Sequence, residues 1–207
     1  MNQVKSSGTS ALWWFLGGAL LVGILAAAYL RQATGGAATL PVLGEVSNAE
    51  FTAQDGRHVA LADLEGQVWV ADLIFTTCSG PCLRMTSQLY LVQEAIKEEK
   101  GVQLVSISVD PDRDTPERLS WYAGQAHADP ERWMFLTAPM ETIRPLATNG
   151  LKLVVDTGVE GEELGILHSD RLVLVDQNLQ IRGYYDGLDP ATVNALVADI
   201  ESLLKAS

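Results

Sequence analysis

Cysteine, histidine and basic residues are all scarce in this chain. Its 207 residues include two Cys and three His. Two thiols exclude a disulfide-stapled scaffold and any four-thiolate zinc or iron–sulfur site. Lys and Arg number 14 against 26 Asp and Glu, a net charge of −12. That balance excludes nucleic acid as the natural partner, because a phosphate backbone calls for an excess of cations. No internal repeat and no low-complexity tract occurs. Apolar residues nevertheless make up 47% of the chain, which is incompatible with general disorder. The length suits one domain of ordinary size with some chain to spare, able to bury a core without disulfides.

Charge is missing altogether from Ala11 to Leu30. Twenty uncharged, mostly apolar residues match the length of a helix that crosses a bilayer. Trp13, Trp14 and Phe15 stand at one end and Tyr29 at the other, where amphipathic rings favour the headgroup level. The rival reading is a cleaved signal peptide ending at Ala26-Ala27-Ala28, but the apolar part of such peptides is shorter, about 7–15 residues. Residues 1–10 are expected as a cytoplasmic tail, 11–30 as a retained transmembrane anchor and 31–45 as a flexible tether. The remainder, 46–207, is expected as a domain in the periplasm, anchored to a bacterial inner membrane. Residues 1–31 carry two basic groups and no acid, so the rest of the chain stands at −14.

Beyond the tether, strand and helix patterns alternate. Phe51–Gln54 and His58–Leu61 flank Asp55-Gly56, a two-residue hairpin signal. The run 68–75 is almost continuously apolar, as for a strand covered on both faces. A helix is expected after Cys82, with Met85, Leu89, Val92 and Ile96 on one face and Gly101 as its stop. Val102–Val109 reads as a buried strand, Thr115-Pro116 as a helix cap and start, and Trp133–Thr137 as a short strand. Residues 140–149 read as helix, Arg171–Val175 and Gln180–Tyr185 as a hairpin, and the stretch after Asp189-Pro190 as a closing helix. This order predicts an α/β, three-layer sandwich of thioredoxin type.

Both cysteines fall in Thr76-Thr77-Cys78-Ser79-Gly80-Pro81-Cys82, between a buried strand and a helix. Four residues apart on a helical turn, Cys78 and Cys82 would share one face at about 5–6 Å between Cβ atoms, close enough to ligate one metal ion or to form a disulfide. A helix N-terminus would favour their thiolates. A purely structural disulfide gains little from so short a loop. His58 and His127 read as surface residues. His168 precedes the hairpin strand 171–175, and in a thioredoxin topology that loop faces the cysteine turn. Two thiolates and one imidazole make a soft site suited to Cu(I) and able to hold Cu(II), while Zn(II) could use the same ligands with a water. The Asp110, Asp112, Asp114 run lacks the Gly and Glu of an EF-hand and reads as a strand exit and helix cap. Peroxiredoxin chemistry is unsupported, because Ala71 and Phe75 occupy the places of its Pro and Thr.

Three blocks resemble the Sco/SenC family: Phe75-Thr76-Thr77-Cys78-x-x-x-Cys82, Ser108-Val109-Asp110-Pro111-Asp112-Arg113-Asp114-Thr115-Pro116, and His168-Ser169 followed by Leu174-Val175-Asp176. The resemblance spans 50–205. It implies a membrane-anchored, thioredoxin-fold metallochaperone that binds copper through Cys78, Cys82 and His168. It also implies a role in assembling the copper centre of cytochrome c oxidase subunit II, by delivering copper or by reducing its cysteines with the help of a thiol reductant. The family usually has Pro after the first Cys. Here Ser79-Gly80-Pro81 is closer to the Gly-Pro of thioredoxins, which keeps a second class open, a thiol–disulfide oxidoreductase with Cys78 attacking and Cys82 resolving. Asp72, the lone charge in its strand, stands six residues before Cys78, as a buried Asp does in thioredoxins. It is the candidate proton relay, the bland alternative being a solvated or cation-paired Asp.

Overall fold

The computed structural model describes residues 40–153 and 169–206. The expected anchor at 11–30 and His168 lie outside them. Among the described residues, no helix is long and apolar enough to cross a membrane.

The apolar run begins as the central strand β4 (Val68–Ile74), with every residue buried. A strand paired on both edges and helices covering both faces explain the absence of polar alternation. β4 pairs in parallel with β5 (Val102–Ser108) and antiparallel with β7 (Arg171–Val175). β6 (Trp133–Thr137) extends the parallel part beyond β5. β8 (Gln180–Asp186) folds back on β7, and a two-residue strand β1 (Gly44–Glu45) adds to its edge. At the other edge β2 (Glu50–Ala53) pairs with β6 and β3 (His58–Ala60). The order across the eight strands is β1-β8-β7-β4-β5-β6-β2-β3.

Two crossovers in the same direction put α1 (Pro81–Ala95) and α2 (Pro116–Gln125) on one face, where α4 (Thr192–Lys205) joins them. On β4 this face carries Val70 and Ile74, packed with Met85, Leu89, Leu119, Leu196 and Ile200. The opposite face, with Trp69, Ala71 and Leu73, is covered by α3 (Met140–Pro145), the wider turn that follows it, and a short 3-10 turn at Leu61–Leu64. Three layers result, as expected.

Several boundaries differ from the sequence reading, each for a local reason. The 55–56 hairpin is a three-residue turn: Gly56 N–H donates to the Ala53 carbonyl, Ala53 N–H to that of Arg57, and Gly56 takes φ 83°. Gly101 does not stop α1, which ends at Ala95; it turns the chain (φ 75°) into β5. Helix α3 widens into π geometry at Leu146–Gly150, directly after Pro145, which brings no N–H. Residues 40–45, expected within the tether, pack on the domain: Leu43 N–H donates to the Ile181 carbonyl, and the Arg182 guanidinium reaches the Leu40 carbonyl. Arg182 is held in turn by the buried Asp176 at 2.6 Å.

Candidate metal and thiol site

The chain leaves β4 through a tight turn in which Cys78 N–H donates to the Phe75 carbonyl at 3.1 Å. Ser79 and Gly80 then lead into α1, whose first residue, Pro81, tolerates a position where an N–H would have no helical partner. Cys78 therefore precedes the helix and only Cys82 lies within it, which corrects the expectation of two positions on one helical turn. The two remain close and unbridged, Cys78 half-buried and Cys82 buried, near enough for the Cys78 thiol to act on that of Cys82. The expectation that the helix N-terminus would favour both thiolates fails at Cys82. Burial, first, and the neighbouring Cys78 thiol push its thiol up to about 12, because removal from water penalises the charged form.

The pair opens into a cleft of about 710 Å³. Besides the two cysteines it is lined by Phe75, Pro81 and Met85, by Lys152 and Leu153, by the strand entry Ser169, Asp170 and Arg171, and by Tyr184 and Leu188. Ser169, the neighbour of His168 in sequence, thus borders the same cleft as both cysteines. Among the described residues, no group of three His, Cys, Asp or Glu side chains could hold a metal ion; two thiols are what they supply. His58 and His127 are exposed and away from the cleft, as expected.

Asp72 is fully buried on the helical face of β4, opposite Ser106 of β5. The Ser106 hydroxyl donates to its Oδ1 at 2.6 Å and accepts from Trp133 Nε1 at 2.9 Å. Its Oδ2 has no hydrogen-bond partner among the described residues. Among the described residues no cation pairs with it, and its burial argues against the solvated alternative. Burial raises its carboxyl to about 7 against the smaller opposing effect of Ser106. Its charge is felt at both Cys82 and Tyr122, and the Tyr122 hydroxyl, paired with Thr86 at 2.9 Å, is itself pushed up to about 12 by burial. The ground beneath α1 is a low-dielectric region that favours neutral groups.

The acidic run divides as a strand exit and cap should. Asp110 pairs with Arg113 at 2.9 Å, Asp112 is exposed, and Thr115 caps α2 by accepting from Arg118 N–H at 3.3 Å. Asp114 does something the sequence reading missed. It is fully buried and accepts from the hydroxyls of Thr76 (2.5 Å) and Ser108 (2.6 Å) and from Thr76 N–H (3.1 Å). No periodicity signals this contact, which spans 38 residues; the one available hint was the presence of Asp114 and Thr76 in two blocks of the same resemblance.

Comparison with known proteins agrees with the fold and with the family resemblance. The SCO1/SenC family model matches residues 45–205. The SCO1 protein homolog of Bacillus subtilis (strain 168) is 32% identical over 164 residues, 78% of this chain and 84% of that one. The structure of BsSco, described as a member of the Sco family of cytochrome c oxidase assembly proteins with a disulfide switch, superposes with a TM-score of 0.71 at 31% identity, covering 82% of this chain and 99% of that chain. Bradyrhizobium japonicum ScoI with copper bound shares the fold, with a TM-score of 0.64 at 21% identity over 77% of this chain and 99% of that one. The fold is thioredoxin-like, and the chain belongs to the SCO1/SenC family.

Proposed function

We propose that this protein is a copper metallochaperone for cytochrome c oxidase, binding one copper through Cys78, Cys82 and His168 and passing it to subunit II or another copper-site acceptor by ligand exchange. The observation that carries this reading is the unbridged, adjacent thiol pair on the floor of a cleft bordered by Ser169. Thiolate and imidazole donors are soft and suit Cu(I), and Cu(II) can use the same set. The half-buried Cys78 faces an incoming acceptor, while Cys82 holds the cargo from below. Residues 11–30 act as the anchor in a bacterial inner membrane, with the domain in the periplasm. Retention of the full chain in membranes washed with alkaline carbonate checks this; release into the wash overturns it.

Copper titration of the reduced protein tests the ligand set. Wild type is expected to take up one copper, Cys78→Ser and Cys82→Ser to lose it, and His168→Ala to weaken it at least about tenfold, the lower limit for losing even a second-shell partner. Unchanged binding by His168→Ala overturns the reading. Copper must displace the Cys82 proton, which is held tightly in the free protein, so affinity is expected to rise with pH through the neutral range. A pH-independent affinity contradicts this.

The buried Asp72 favours a second activity of the same site, thiol–disulfide exchange. Cys78 sulfur attacks an acceptor disulfide and releases one acceptor thiol; Cys82 sulfur then attacks the mixed disulfide, releasing the second thiol and leaving a Cys78–Cys82 disulfide. An external thiol reductant restores the pair. Asp72 accepts the Cys82 proton as that sulfur attacks, a role suited to a carboxyl held near 7 with one free oxygen. Asp72→Asn is expected to remove a pH dependence near 7 from the exchange rate, and an unchanged profile refutes the relay.

A further inference from the structure

Thr76 is the first central residue of the turn that delivers Cys78, and both its N–H and its hydroxyl are occupied. Its N–H and hydroxyl both go to Asp114, and the same hydroxyl accepts from Arg118 Nε at 3.0 Å. Asp114 is brought there by a second tight turn. After β5, the Asp110 carbonyl accepts from Arg113 and Asp114 N–H groups at 3.1 and 2.9 Å, folding the chain back under Thr76. Ser108 fixes both ends of that fold, donating to Asp114 Oδ2 and accepting from Asp110 N–H at 3.1 Å. Arg118 is held on its other side by the ring of Trp121, 4.3 Å away. The cysteine turn therefore rests on three elements: the end of β5, the loop 109–115 and the first turn of α2.

We propose that Asp114, acting through Thr76, is the positioning residue of the cysteine pair. It fixes the Phe75–Cys78 turn so that the Cys78 and Cys82 sulfurs are already adjacent before copper or an acceptor arrives. Chelation then costs little reordering, in the way that outer-shell hydrogen bonds orient metal ligands. The clamp touches neither sulfur, so it acts on geometry alone. Neither the acidic run as a cation site nor helix capping accounts for Asp114, since Asp110 and Thr115 serve the loop and the cap without it.

Thr76→Val tests this in the full-length protein, because valine keeps the shape and the N–H but removes the hydroxyl that joins Asp114 to Arg118. Thr76→Ser restores the hydroxyl. Two measurements are made on the reduced protein, with urea midpoints alongside to correct for overall stability. One is copper affinity, which rests on the proposed function; the other is the rate of Cys82 alkylation by iodoacetamide, which needs no copper. Thr76→Val is expected to weaken copper binding by about tenfold or more and to speed Cys82 alkylation severalfold beyond what the midpoint shift explains, with Thr76→Ser near wild type in both. Asp114→Asn is expected to follow Thr76→Val. Wild-type alkylation by both Thr76→Val and Asp114→Asn overturns the positioning role, as does a change that tracks the urea midpoint alone. If wild type binds no copper, the chaperone reading fails while the alkylation result still decides the clamp.

Discussion

Asp72 lies between Val70 and Ile74 on a face that is otherwise apolar, with one oxygen held by Ser106 and the other free. Such a group makes folding depend on pH. The folded protein keeps the Asp72 proton up to about pH 7, whereas the unfolded chain releases it near 3.8. Between those values the folded state binds more protons, so the contribution of Asp72 is complete below about pH 4 and is lost as pH rises to 7. Asp72→Asn is expected to flatten that decline and to be more stable than wild type above pH 7. The gain is roughly 1–3 kcal/mol, reduced from the full linkage value because the new amide lacks a partner for its N–H groups. Urea midpoints at pH 5 and 8 check this; equal slopes for the two proteins refute it. The lone charge in an apolar run was visible in sequence. That no described cation reaches it was not, because that depends on which residues β5 and α2 bring to the same face.

Elements were easier to read than their ends. Spacing of Met85, Leu89 and Val92 gave α1, and Thr115-Pro116 gave the start of α2, where the cap is present as expected. Thr115→Ala is expected to cost about 1 kcal/mol, measured as a lowered urea midpoint, and an unchanged midpoint would mean that water caps the helix equally well. What the spacing left out were features set by backbone geometry rather than by side-chain pattern. Pro145 widens α3 into a π turn, and the chain bends at Ser79 and Gly80 so that Cys78 stays off the helix. At Leu89 a truncation tests the packing itself: this fully buried side chain lies in the core between α1 and the sheet, and Leu89→Ala is expected to cost about 2–5 kcal/mol.

Over the whole molecule, the sheet carries the candidate site at the carboxyl end of its central strand, where β5 ends on one side and β7 begins on the other. The start of the domain is tied to the far edge. Arg182 joins buried Asp176 to the Leu40 carbonyl, and β1 completes the edge of β8. Arg182→Ala leaves Asp176 buried without its cation, a loss of about 3–5 kcal/mol. It is expected also to speed proteolysis within residues 40–45, and cleavage there at the wild-type rate would show that β1 holds without the guanidinium.

The antiparallel pairing of β4 with β7 joins segments separated by roughly a hundred residues of chain, Val70 opposite Leu174. Contacts of that span form late, since closing so large a loop must precede any reward. Along the chain the thiol pair and its helix precede the strand that borders their cleft, so synthesis completes them first. During that interval Cys78 and Cys82 stand open to any oxidant, so the order in which the chain matures, and not only the finished site, exposes the dithiol to capture.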